Sequence, residues 1–427
     1  MSPQQPKLPA GQWCWWVGLG AAGGLFVRII GYLSLFEAWL LLTLPLRLRE
    51  VVSTCCQPGV RAFTLLWIGW MVGAVVADVA NATPLPLAAR GFSRAFFLGF
   101  VCLALLPRWL AMPRRLEAFV AGAPIAHVVG LKYFRPGTST IDGVEIDAAN
   151  LGWANWTNYF LLSLVMAAIA RLWRWSPHAC VALAATTGGV NLVMGSRSAG
   201  ATQLVAAALM PFFMGRRLAQ RGFSGARFTA IIVTFVTGAI GIAMLYGTLA
   251  AGGTLGDKAR EKYDRQRAAK GGLLVGGRAE FFVGLSTALD RPLLGHGSWP
   301  ADTGEAIERA ARRFGLEIED TSRSDPHVPA IIPTHSAVVG AWVEHGIMGA
   351  IFWLAMLWLL IRNTPRAVRL LPESTGLVVF NAPALVWAIF FSPIPPRAAS
   401  AIVLVPLLVI QVRHLQARAR SGMPAAS

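Results

Sequence analysis

The sequence predicts an all-α fold, a polytopic transmembrane helical bundle of about twelve spans with one long outer loop that carries short helices. Three observations predict it. Of the 427 residues, 55% are hydrophobic and 14% charged, too little polar surface to cover one soluble globule or several. Twelve spans of about 20 residues would use about 240 residues, close to the roughly 235 apolar residues that this percentage represents. The apolar runs are also broken by clusters of Arg, Pro and Gly, as the connections of a multispan protein are.

Read in order, the spans are 12–30, 32–47, 61–80, 91–108, 115–131, 154–172, 177–195, 199–215, 228–250, 336–361, 374–392 and 397–412. The first two lie close enough together to be half-inserted elements. The chain thus divides into nine helices over 1–250, the loop over 251–335, and three helices with a cytoplasmic tail over 336–427. No N-terminal cleavage pattern stands out, so Met1 reads as part of the mature chain.

Charge sets the orientation. The net charge is +17, from 38 Lys and Arg against 21 Asp and Glu. With the N-terminus in the cytoplasm, 19 basic residues fall on inner segments and seven on short outer connections. That bias is the positive-inside signal, and it places both termini in the cytoplasm. The remaining 12 basic residues sit in the loop with 12 acids, so the loop is near neutral. The excess charge is therefore mostly topological, which argues against nucleic acid as a partner.

Inside the loop, Asp257 to Lys270 reads as a charged helix stopped by Gly271 and Gly272. Thr303 to Phe314 reads as a second helix, capped by Thr303 with Glu305 and Glu308 in its early turns. The apolar-rich stretch between them, from Gly277 to Gly297, is expected to lie along the membrane surface. Cys14, Cys55, Cys56, Cys102 and Cys180 have neither disulfide nor zinc spacing and read as small buried hydrophobes. Gly18-Leu-Gly20-Ala-Ala-Gly23 matches a dinucleotide-binding pattern, but no strand precedes it. Gly20 and Gly24 read instead as points of close helix packing. The glycan-acceptor patterns at Asn81 and Asn155 carry no weight.

Ionisable groups inside spans are expensive and are functional candidates by default. Glu37, Asp78, His127 and Glu344 fall in the outer halves of their helices, and Arg197 lies in the junction Gly195-Ser-Arg-Ser-Ala-Gly200. The simplest account is one polar cluster facing the outer leaflet; pairing that merely stabilises the bundle is the other. His335 lies at the start of a long apolar helix, where the dipole favours a neutral imidazole able to accept a proton. It is otherwise an interfacial cap. Arg197 and Arg278, flanked by Gly or Ser, offer planar forks for phosphate, or else reach toward headgroups.

At these residues the sequence resembles a known family. Thr334-His335-Ser336-Ala-Val-Val-Gly-Ala-Trp-Val-Glu344-His345-Gly346-Ile-Met-Gly349 resembles the His-containing signature of bacterial O-antigen ligases and their polymerase relatives. Gly195 to Gly200 is similar to the family's Ser-Arg-small motif. Gly277-Arg278 followed by Pro292-Leu-Leu-Gly295-His-Gly297 is similar to its Gly-Arg…Pro-x-x-Gly-x-Gly motif. One departure is Val338-Val339, where a leucine is common. The resemblance covers the whole topology and makes the long loop periplasmic. It implies an inner-membrane glycosyltransferase that needs neither nucleotide, metal nor other cofactor. The donor is a glycan on undecaprenyl diphosphate and the acceptor the lipid A–core oligosaccharide. In that scheme His335 is the catalytic base and Arg197 and Arg278 bind the diphosphate. Glu344, Lys258 and Arg265 are supporting candidates; the last two, with Arg260 and Arg267, suit somewhat better a solvated helix that balances nearby acids. A polymerase or protein O-oligosaccharyltransferase of the same superfamily differs only in acceptor. A lipid-linked glycan flippase would instead need inverted repeats, and no repeat stands out.

Overall fold

The computed structural model describes residues 8–28, 32–133, 139–141, 144–146, 153–194, 196–214, 247–254, 279–302, 305–314, 331–332, 334–392 and 397–421, with scattered positions elsewhere between 233 and 264. Side chains at 26–32, 126–133, 139–146, 153–159 and 197 are outside the description. The expected ninth span and the charged helix at 257–270 fall largely outside the described residues.

The described chain is a helical bundle with two three-residue antiparallel ribbons. Helix α1 spans Ala10–Ala22, and β1 (Phe26–Arg28) pairs with β2 (Tyr32–Ser34). Then come α2 (Leu35–Cys55), α3 (Pro58–Ala80), α4 (Leu85–Ala111) and α5 (Arg114–Tyr133). A second ribbon, β3 (Ser139–Ile141) with β4 (Val144–Ile146), precedes α6 (Trp153–Leu172), α7 (Pro177–Val193) and α8 (Arg197–Leu209). The loop contributes α9 (Ala279–Asp290) and α10 (Glu305–Phe314), and α11 (Ala337–Leu370), α12 (Thr375–Phe391) and α13 (Arg397–Arg420) close the chain.

Among the described residues, five helices are long and apolar enough to cross a membrane: Pro58–Ala80, Leu85–Ala111, Ala337–Leu370, Pro372–Phe391 and Arg397–Arg420. The expected first span is corrected. Helix α1 has 13 residues and gives way to the β1–β2 ribbon. At 1.5 Å per residue it reaches about 20 Å, short of a bilayer core of about 30 Å. The loop helix expected from Thr303 is found as Glu305–Phe314. The stretch before it is not merely laid on a membrane surface: Val283 and Ala288 of α9 are buried, and α9 packs on α10 and α11. The cysteine reading is corrected in part, because Cys14 and Cys56 are exposed whereas Cys102 and Cys180 are buried.

Local sequence accounts for the helix starts. Pro58 and Pro177 occupy first-turn positions, where the missing N–H costs nothing. Ser34 and Glu37 form a reciprocal capping box on α2: Ser34 Oγ accepts from the Glu37 N–H at 3.2 Å, and Glu37 Oε2 accepts from the Ser34 N–H at 2.9 Å. Gly20 meets α5 at Gly122, where a Cβ on either would fall on the facing backbone carbonyl. Gly20 therefore serves close packing, while Gly24 lies beyond the end of α1.

The bundle has two chemically different ends. Trp173, after α6, packs on Gly376 near the start of α12. Helices α7 and α8 are antiparallel, joined by Asn191 Nδ2 donating to Gln203 Oε1 at 2.9 Å. The starts of α8 and α11 therefore lie toward the end of α12, away from Trp173. The opposite end carries arginines: Arg115 donates to the Arg108 carbonyl at 3.1 Å, and Arg413 to the Leu370 carbonyl at 2.9 Å.

Candidate functional site

All three sequence motifs occur at helix starts. Arg197 is the first residue of α8, Arg278 immediately precedes α9, and His335 lies just before the cap of α11. Ser336 is that cap: its Oγ accepts the Val339 N–H at 3.2 Å and donates to the Ile389 carbonyl at 2.8 Å. The start of α11 is thereby tied to the last turn of α12. Phe281 of α9 reaches the same place, with its ring 6.3 Å from that of Phe391. The His335 side chain is exposed at this junction. The side chain of Arg197, and Arg278, Lys258 and Arg265 altogether, lie outside the described residues.

A buried polar network lies about 12 Å further along α11, by its rise from Ser336 to Glu344. Glu344 forms an ion pair with Arg94 of α4. Next to it His345 is fully buried. Its Nδ1 accepts the Trp70 indole N–H at 2.9 Å. An indole nitrogen can only donate, so the neutral ring carries its proton on Nε2. Nε2 faces Ser298 Oγ at 3.2 Å, and that hydroxyl donates to Asp78 Oδ2 at 2.9 Å. Asp78 Oδ1 also accepts the Ser298 N–H at 2.6 Å.

Serine, histidine and aspartate thus meet, but not as a nucleophilic triad. The aspartate holds the serine rather than the imidazole, and the nitrogen facing the serine is a donor. No proton can pass from Ser298 to His345 in this arrangement. What it does is anchor the loop segment 291–299 against α3 and α11.

That segment also mends a break in α11. Gly346 has φ 68° and ψ −162°, outside any helix. The broken Ile347-to-Val343 bond is replaced twice: the His296 N–H donates to the Val343 carbonyl at 2.7 Å, and the Ile347 N–H to the Leu293 carbonyl at 3.3 Å. Gly295 (φ 74°) lies so close to Gly346 that a Cβ on either would strike the other's backbone segment. The Pro-x-x-Gly-x-Gly motif and the Glu-His-Gly segment are therefore two halves of one structure. His296 is half-buried, and its Nε2–H donates to the Thr287 carbonyl at 2.9 Å. Burial, the larger cause, lowers its pKa below the ordinary 6.5, against that hydrogen bond.

Beside the network, Trp299 adopts φ 57°, an uncommon conformation for a bulky residue. The guanidiniums of Arg90 and Arg94 stand 5.0 and 4.9 Å from its ring centroid.

Of the expected outer polar cluster, part is seen. Asp78 and Glu344 do share a network, through Ser298 and His345. Glu37 instead pairs with Arg397 Nε at 2.7 Å, and the His127 side chain is not described. His335 stands apart from Glu344. Sequence reasoning passed over His345, Ser298, Trp70 and Arg94. His345 follows Glu344 inside the quoted signature, yet nothing local indicated that a loop serine and an α3 tryptophan would meet it. Among the described residues, no group of three or more His, Cys, Asp or Glu side chains is arranged to hold a metal ion. Compared with known proteins, the chain matches no family model and no curated relative.

Proposed function

We propose that the protein is an inner-membrane glycosyltransferase of the O-antigen ligase kind. It transfers a glycan from undecaprenyl diphosphate to the lipid A–core at the periplasmic face. The observation that carries this reading is the exposed imidazole of His335 at the capped start of α11, beside the start of α9 to which Arg278 is joined. The start of α8, with Arg197, belongs to the same end of the bundle, opposite the arginine-rich end. The positive-inside rule then turns the three motifs outward.

In this reaction His335 removes the proton from the acceptor hydroxyl. The acceptor oxygen bonds to the anomeric carbon as the bond from that carbon to the phosphate oxygen breaks. Undecaprenyl diphosphate leaves with the electron pair, and the anomeric configuration inverts. Arg197 and Arg278 bind the diphosphate and stabilise the charge it gains. Glu344, paired with Arg94 about 12 Å deeper, holds the wall of the site rather than touching the sugar.

The test is transfer from labelled lipid-linked glycan in membranes of wild type, His335→Ala and Arg278→Lys. Label on lipid A–core, lost in both variants, is expected. Transfer at the wild-type rate by His335→Ala removes the base assignment. Label on lengthened glycan or on protein would make the enzyme a polymerase or a protein ligase of the same superfamily. One feature, the broken helix α11, favours a flippase, because transporters place helix breaks at their binding sites. The backbone groups freed by the break are taken up by Leu293 and His296, so transfer remains the better reading.

A further inference from the structure

A cavity of about 680 Å³ opens at the arginine-rich end, far from the motif residues. Its walls include Trp13 of α1, Arg114 and Glu117 of α5, Arg171 of α6, and Arg174 and Trp175 of the α6–α7 turn. Arg174 grips both Glu117 oxygens, at 2.9 and 2.7 Å. No ion pair or hydrogen bond to a carboxylate joins Arg114 or Arg171 among the described residues. Three guanidiniums line the cavity with one carboxylate, so its lining is net positive, and Arg114 and Arg171 act on Glu117 only across space. Glu373 also acts electrostatically on Glu117, but it faces Arg413 as well.

The two tryptophans define the surroundings. Trp13 is 45% and Trp175 78% exposed, large indoles at the end of an apolar bundle. Tryptophans with an apolar body and one N–H settle at headgroup depth, at the boundary of acyl chains and water. A soluble anion has no use for indoles on the rim. A lipid does, because its acyl chains lie against them while its phosphate enters the basic pocket. Clustered basic residues at the cytoplasmic surface of a membrane attract such headgroups.

We propose that this cavity is a binding site for an anionic phospholipid of the cytoplasmic leaflet. Its phosphodiester is held between Arg114 and Arg171. Two open guanidiniums match a headgroup with two phosphodiesters better than one with a single charge. Arg174, occupied by Glu117, shapes the wall and locks α5 to the α6–α7 turn.

Native mass spectrometry of the full chain, released from detergent with added lipid, tests this. Phosphatidylglycerol, a diphosphatidyl lipid and phosphatidylcholine are compared. Wild type should retain the anionic lipids in preference to phosphatidylcholine, the diphosphatidyl lipid most. The double variant Arg114→Gln/Arg171→Gln should lose about 25-fold of that preference, from the per-residue attraction of basic groups at an anionic surface. The conservative Arg114→Lys/Arg171→Lys should keep most of it. The exposed pair Arg362→Gln/Arg369→Gln removes the same charge at the same end without touching the cavity, and should change little. An equal loss in both glutamine doubles would mean diffuse attraction and overturn the site. So would a wild type with no preference for anionic lipid. Displacement of the lipid by millimolar inorganic phosphate would assign the pocket to a soluble anion instead. Arg171→Gln alone, at an exposed position, is the fallback should the double variant not fold, and an undiminished preference in it would count against the proposal.

Discussion

Replacing Gly346 by Ala should unseat the loop segment 291–299 from helix α11. With φ 68° and ψ −162°, Gly346 occupies a region that is essentially glycine-only, where another residue costs about 1–3 kcal/mol. A Cβ there would also fall on the Leu293 carbonyl, which is backbone and cannot swing aside. The chain can keep the break and bear both penalties. Alternatively α11 straightens, Ile347 bonds Val343, and the loop loses two backbone hydrogen bonds of about 1 kcal/mol each. Against the one helical bond regained, displacement also loses the two Ser298–Asp78 hydrogen bonds, again about 1 kcal/mol each. Either route costs about 3 kcal/mol, or roughly a hundredfold in the opening equilibrium of the segment. Hydrogen exchange followed by mass spectrometry reads this directly. Peptides covering 291–299 should exchange roughly a hundredfold faster than in wild type, if exchange follows local opening. Gly189→Ala, in helix α7 with open space around it, should leave those peptides unchanged. Wild-type exchange of 291–299 in Gly346→Ala would refute the idea that glycine is needed to hold loop and helix together.

Two further predictions concern charge. Arg94→Leu should destabilise by about 3 kcal/mol because it leaves Glu344, 7% exposed, without that guanidinium; Arg94→Leu/Glu344→Leu should recover much of the loss, as a double-mutant cycle on thermal unfolding would measure. For His296 the pKa is lowered on folding, so the unfolded chain takes up a proton first as the pH falls. The stabilisation from its neutral form should be complete above about pH 6.5 and drain away below it, down to the depressed folded pKa. Loop exchange compared between pH 7.5 and pH 5.5, corrected for intrinsic rates, should show that dependence in wild type and less of it in His296→Gln.

Some elements were legible because their causes are local. Helix α7 begins at Pro177, where the seventh expected span begins, and the Glu305–Phe314 helix was recognisable from its early acids. The 13-residue α1 was not, since the apolar run continues past it into the β1–β2 ribbon. Hydropathy counts apolar residues and cannot see where the backbone leaves the helix. The candidate residues Asp78 and Glu344 were recognisable as costly inside spans, but their partners were not. Ser298 lies 220 residues from Asp78, and Arg94 lies 250 residues from Glu344.

The amino-acid sequence by itself determined that this chain builds apolar helices, where many of them begin, and which end gathers the arginines. Each of these follows from composition within a turn or two of helix. The tertiary structure alone decided that Gly295 and Gly346 meet, that Glu37 pairs with Arg397 while Glu344 pairs with Arg94, and that Arg114 and Arg171 line one cavity. Those outcomes depend on which helices pack together. A buried charge or an interrupted backbone is satisfied by whatever group the fold brings within about 3 Å, and sequence separation does not limit that choice.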